Sequence, residues 1–242
     1  MSSSAEPVAE RYAAVVQRVA RAARAAGREP ADVRVLVATK TQDAQAVRAV
    51  VAAGARLVGE NRVQEVVAKA PALADLVAGG LGVHLIGPLQ RNKINHVLPL
   101  VSCVESLDSL RLAEALAARC VRNERVLDVM VQVNVSGEST KSGTAPDDAA
   151  DLAARVAALP GLRLSGFMTI GANSPDESLV RAGFARLREV RDVVVGSGAP
   201  GTTGARELSM GMSRDLEAAV AEGATLVRVG TAVFGARPAA QP

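Results

Sequence analysis

The sequence predicts an α/β fold: a single (β/α)8 barrel of the TIM type with an extra N-terminal helix. Three observations carry this. Eight short runs rich in Val, Ile and Leu alternate with helical patterns, 242 residues suit one such domain, and no shift in composition marks a second. Strands separated by helices run parallel, because each crossover returns the chain to the same end. Eight units in this length favour closure over an open doubly wound sheet.

The extra helix comes first, in PVAERYAAVVQRVARAARAAG, where Val8, Tyr12, Val15, Val16 and Val19 recur at helical spacing. It precedes the first strand and can cover the barrel floor or a side. The domain is taken as 1–242, with residues 1–7 and 238–242 expected to be disordered.

The first strand is VRVLVATK, Val33 to Lys40, and the helix DAQAVRAVVAAG after it puts Val47, Val50 and Val51 on one face and stops at Gly54. Further strands are expected at 56–60, 82–87, 100–106, 126–136, 162–170, 206–211 and 225–230. Between them lie the helical segments VQEVVAKA, RNKINHVL, LDSLRLAEALAARC, PDDAADLAARVAAL, DESLVRAGFARLREVRDVVV and SRDLEAAVAEG. The junctions GENRVQE, GPLQRNK, NVSGESTKSG, GANSPDE, MGMSRD and GTAVFG then face one mouth, the end where parallel barrels carry their chemistry.

Apolar residues make up 49% of the chain but aromatics only 2%, and tryptophan is absent, so the core is built from Ala, Val and Leu. The net charge is +3. Its arginines are interleaved with acids, as in RLREVRD and ARCVRNER, and aromatics to stack bases are lacking, so the charge reads as a solvated surface with no nucleic-acid partner. Cys103 and Cys120 fall in an apolar strand and an apolar helix face, with no secretory apolar region ahead of them, which points to a reduced cytoplasmic chain. No uncharged apolar run reaches the ~18 residues of a membrane span, so no membrane partner is expected.

Lys40 ends a buried strand at the mouth. A lysine partly desolvated there offers a nucleophilic amine able to form a Schiff base, whereas the plainer alternative is a strand-end lysine that reaches water. Of 28 basic residues only four are lysines, Lys40, Lys69, Lys93 and Lys141. A chain that otherwise uses arginine has kept the one cation that can make an imine.

The last two loops suggest a phosphate site. Ser213 is expected to cap SRDLEAAVAEG, which stops at Gly223, and Gly230 and Thr231 open the final turn. Each feature has a plain reading, a cap and a tight turn, and Asp215 in the same first turn would repel a phosphate. Convergence of both loops on one place favours the ligand. Arg228 of TLVRVG shares its face with Leu226 and Gly230, so it either reaches solvent at the rim or is paired inside. An imine lysine, an anion cradle and an arginine able to face a ring nitrogen are the parts that hold pyridoxal phosphate.

The motifs VATK, GENRVQE, HLIGPLQRNK, VNVSGESTKSG, ELSMGMSRDLEAA and VRVGTAVFG, in this order from about Val33 to Arg237, resemble the pyridoxal phosphate homeostasis proteins. That family is similar to the barrel domain of alanine racemase, and the resemblance implies a protein that binds pyridoxal 5′-phosphate with no established catalysis. It implies Lys40 as the Schiff-base lysine, Arg228 at the pyridine nitrogen, and Ser213, Gly230 and Thr231 at the phosphate. Asn61, Met168 and the turn Ser209, Met210, Gly211 and Met212 match positions lining the cofactor. His84 matches the histidine of a motif that usually has an aromatic residue before it, where this chain has Val83.

An arginine at the ring nitrogen keeps that nitrogen unprotonated and weakens the ring as an electron sink. In alanine racemase the second base is a tyrosine of a separate C-terminal domain. Here the one tyrosine is Tyr12 and the sequence ends soon after the barrel pattern, so no efficient racemisation is expected. Other motifs carry less. GTAVFGAR lacks the Lys and Ser/Thr of a P-loop, His84 and His96 have no partner at metal-ligand spacing, and no nucleophile elbow occurs. Glu60 and Glu65 read as a general base near the mouth or as carboxylates at a helix start.

Two functions follow. The first is a protein that stores, delivers or buffers pyridoxal phosphate, as a monomer or weak dimer, with pyridoxal-phosphate-dependent apoenzymes as partners open to it. The alternative is a Schiff-base enzyme, either a weak racemase or a phosphosugar aldolase.

Overall fold

The computed structural model describes residues 5–138 and 141–235. Eight strands, β1 (Arg34–Ala38), β2 (Leu57–Glu60), β3 (Gly82–Leu85), β4 (Cys103–Leu107), β5 (Leu127–Gln132), β6 (Leu162–Met168), β7 (Glu207–Ser209) and β8 (Leu226–Val229), close in sequence order into a parallel barrel. The expected (β/α)8 barrel is therefore the fold. Closure comes from β1, which pairs with β2 (Leu36 with Leu57, Ala38 with Gly59) and with β8 (Leu36 with Arg228). Lys40 and Arg228 thus rise from neighbouring strands.

The helices are α1 (Ala5–Ala25), α2 (Ala44–Ala52), α3 (Val63–Ala78), α4 (Ile94–Val97), α5 (Leu110–Arg122), α6 (Ala149–Ala157), α7 (Glu177–Gly196), α8 (Leu216–Ala221) and α9 (Thr231–Phe234). Asp43 caps α2, its carboxylate accepting from the Ala46 N–H at 2.8 Å, and Asp176 caps α7 in the same way. α1 lies on the barrel's side, packed on α2, α8 and α9. It takes in Ala5 to Pro7, which the sequence reading assigned to a disordered end; residues 1–4 and those beyond Gly235, with the expected disorder there, lie outside the described residues.

Two further expectations shift. α3 runs past Ala70 and through Pro71, which is exposed, so the Val67 carbonyl that loses its partner can turn to water. RNKINHVL breaks into 3-10 turns on either side of α4, and the helix gives way after Val97 because Pro99 has no N–H to donate and restricts Leu98.

Two apolar clusters fill the molecule. The larger lies between strands and helices, on outward residues such as Val37, Val58, Leu85, Val104 and Val129. The smaller plugs the barrel with Leu36, Cys103, Met130, Met168 and Leu226. Side chains alternate along a strand, so the next inward residues toward the carboxyl ends are His84, Glu105, Ser209 and Arg228, a buried polar layer above the plug. Both cysteines are free and buried, and burial pushes the Cys103 thiol well up. Among the described residues no helix is long and apolar enough to cross a membrane.

Candidate functional site at the barrel mouth

Lys40 opens the turn that leaves β1, half-buried, and the Gln42 N–H closes this turn onto the Thr39 carbonyl at 3.0 Å. Thr41 has φ +65°, a left-handed conformation that a β-branched residue adopts only under constraint. Across the β1–β8 seam, Gly230 comes so near that an added Cβ would lie 3.1 Å from the Ala38 carbonyl oxygen. Glycine there brings the last loop beside the lysine turn.

The last two loops meet directly. Ser213 Oγ accepts from Thr231 Oγ1 at 3.2 Å and from the Ala232 N–H at 3.3 Å. This corrects the expected cap. The N-cap of α8 is Asp215, the helix starts only at Leu216, and Ser213 stands before it in a turn, with its carbonyl taken by Arg18 of α1 at 2.7 Å. The Asp215 carboxylate accepts from the Met212 N–H at 2.5 Å. Two hydroxyls and an N–H of the first turn of α9 are therefore grouped beside Gly230.

Arg228 is paired inside rather than reaching solvent at the rim. Its Nη1 donates to the Ser209 carbonyl at 2.6 Å and hydroxyl at 2.8 Å, and its Nη2 to the Thr169 carbonyl at 2.6 Å. Two of its five N–H groups then remain. Burial pushes the guanidinium down, and the Glu105 and Asp215 carboxylates act against that.

Glu105, which sequence reasoning did not single out, holds this layer together. It is fully buried, and accepts from Ser209 Oγ at 2.6 Å and from His84 Nδ1 at 2.6 Å. Burial alone would raise its carboxyl, but the His84 hydrogen bond, the charges of His84 and Arg228, and the Ser209 hydroxyl together hold it below the ordinary carboxylate value. A signal was present. A carboxylate in the covered strand CVESL needs a partner, and TLVRVG carries an equally out-of-place cation.

The remaining expected site residues divide. Asn61, at the top of β2, has a buried side-chain oxygen with no hydrogen-bond partner. Met168 is buried in the inner plug at the level of Ser209, whereas Met210 packs into the outer core and Met212 is exposed. Gly211 has φ +87° and an added Cβ would collide with Ala219 of α8. Val83 points away from His84, into the outer layer, so its size leaves the His84–Glu105 pair untouched. His96 is exposed on α4. Lys141 Nζ is tied to Glu138 Oε1 at 2.6 Å and the Gly171 carbonyl at 3.0 Å; residues 139 and 140 of its loop lie outside the described residues.

A family model described as alanine racemase, N-terminal domain, matches residues 11–238. The pyridoxal phosphate homeostasis protein of Pseudomonas aeruginosa is 46% identical over 235 residues, 97% of this chain and 98% of the relative. Among solved structures, an unknown protein from Bifidobacterium adolescentis is 46% identical with a TM-score of 0.94, covering 97% of each chain. PipY of Synechococcus elongatus, solved with pyridoxal phosphate bound, is 35% identical with a TM-score of 0.81, covering 94% of this chain and 100% of PipY.

Proposed function

Since the chain belongs to the pyridoxal phosphate homeostasis protein family, we propose that it binds pyridoxal 5′-phosphate at the barrel mouth and serves intracellular homeostasis of that cofactor. It holds the cofactor on Lys40 as a Schiff base, without efficient catalysis, in the cytoplasm, and exchanges it with pyridoxal-phosphate-dependent apoenzymes. The observation that carries this is the meeting of Ser213, Thr231 and the Ala232 N–H beside Gly230, against the strand that leads into the Lys40 turn.

The residues fit the group. Ser213, Thr231 and the Ala232 N–H suit a phosphate, and the unpartnered Asn61 oxygen suits a ligand donor. The bound cofactor supplies an aldehyde, to whose carbon the Lys40 amine joins with loss of one water. Arg228 offers its remaining N–H groups to a ring nitrogen and, being always charged, keeps a proton off it. Ser209, Thr169 and Glu105 fix that guanidinium in place. Tyr12 is buried in the outer layer near Gly54, which follows α2 at the end of the barrel opposite Lys40, so it offers no proton at the mouth. A weak electron sink at the ring and the distance of Tyr12 from the mouth support binding over turnover.

The test is the absorbance spectrum and intact mass of the protein before and after borohydride reduction, for wild type and Lys40→Ala. A yellow wild type with the cofactor's mass fixed to Lys40 and a colourless variant are expected. A wild type unmodified even after incubation with pyridoxal phosphate would sink the reading, and labelling that needs a phosphosugar instead would show an aldolase.

A further inference from the structure

Lys40 is bracketed by a buried ionic cluster that the binding site does not use. On its N-terminal side, the Thr39 carbonyl accepts from Lys69 Nζ at 2.8 Å and the Thr39 hydroxyl donates to Glu60 Oε1 at 2.6 Å. On its C-terminal side, the Thr41 N–H donates to Glu65 Oε2 at 3.1 Å. The three residues that do this are themselves joined: Lys69 Nζ lies 2.7 Å from Glu60 Oε1 and 3.8 Å from Glu65 Oε2. All three come from GENRVQEVVAK, the end of β2 and the first turns of α3.

Two further features belong to the cluster. The left-handed Thr41 has its N–H fixed by Glu65, while the Thr39 carbonyl two residues earlier is fixed by Lys69. Glu60 Oε2 is buried with no donor facing it. Burial pushes the Glu60 carboxyl up, while Glu65 is held down against its own burial by the adjoining Glu60 side chain, by the Thr41 N–H and by Lys69.

We propose that Glu60, Lys69 and Glu65 form a clamp that holds the Lys40 turn in its strained conformation and so aims the Lys40 amine into the mouth. This rests on the Lys40 reading above. The three are positioning residues, because they act through Thr39 and Thr41 rather than on a ligand.

The experiment compares wild type with Lys69→Met, Glu65→Ala and Glu65→Gln, each checked for folding by circular dichroism. Two quantities are read: the rate at which pyridoxal phosphate attaches to Lys40, by absorbance and by mass after borohydride, and the affinity for pyridoxine 5′-phosphate, which has the phosphate and ring but no aldehyde. Lys69→Met and Glu65→Ala are expected to slow attachment tenfold or more while the pyridoxine 5′-phosphate affinity stays within twofold. Glu65→Gln, whose amide oxygen still accepts from the Thr41 N–H, should restore most of the rate. Glu65 is partly exposed, so Glu65→Ala reports even if Lys69→Met fails to fold. Folded variants that attach the cofactor at the wild-type rate, or that lose both quantities together, overturn the clamp alone. A wild type that takes up no pyridoxal phosphate overturns the Lys40 reading and the clamp with it.

Discussion

His84 and Glu105 meet inside the barrel at 2.6 Å, Nδ1 to Oε1, and that contact orients the imidazole from below the mouth. The carboxylate also carries Ser209, which in turn carries Arg228, so one acid sets three side chains that face the site.

Glu105→Gln should destabilise the fold by about 3 kcal/mol, because it leaves a buried guanidinium without its counter-charge. The sign of the pH effect follows from the carboxyl being held below its ordinary value of 4.5. Its stabilisation is present above that value and lost as pH falls through the lower, folded one. Wild type should lose this share of stability on acidification and the variant should lack it, as read from urea melts between neutral and acid pH.

Ser213→Ala removes the hydroxyl that joins the two loops at the proposed phosphate position. The affinity for pyridoxal phosphate should fall roughly tenfold, about 1.4 kcal/mol, while that for pyridoxal, which lacks the phosphate, stays unchanged. Equal losses for both ligands in a titration would remove Ser213 from the phosphate site.

Gly211→Ala puts a side chain on a residue at φ +87° and against Ala219. A cost of about 2–3 kcal/mol is expected in thermal or denaturant unfolding. A variant as stable as wild type would mean that the turn after β7 has another conformation.

Behind β2 and β3 a cavity of about 330 Å³ lies under α3, lined by Val66, Leu73, Val77 and Val83, with Glu60 and Lys69 also on its wall. Val83→Phe should fill part of it and raise stability by about 1 kcal/mol, read as a higher melting temperature. A lowered melting temperature would show that the cavity walls do not yield to a ring.

Period and chemistry along the chain were enough for the barrel. VRVLVATK and TLVRVG show their strand character, their terminal lysine and their misplaced arginine without reference to anything distant, and Gly230 announces a close approach. What stayed hidden was which groups would meet. Ser209 and Glu105 are 104 residues apart, and Thr39 and Lys69 are 30 apart; each pair is joined only by the barrel's closure and strand register. Ser213 shows the same limit from the other side. Local pattern assigned it to the helix that follows, but the β1–β8 seam brought α9 within reach of its hydroxyl while α8 began three residues later. The sequence by itself determined the eight strands and the residues at their ends, because those signals are local. Only the tertiary structure decided the partners of Arg228, Glu105 and Lys69, because a buried charge takes whichever opposite group closure brings within hydrogen-bonding distance.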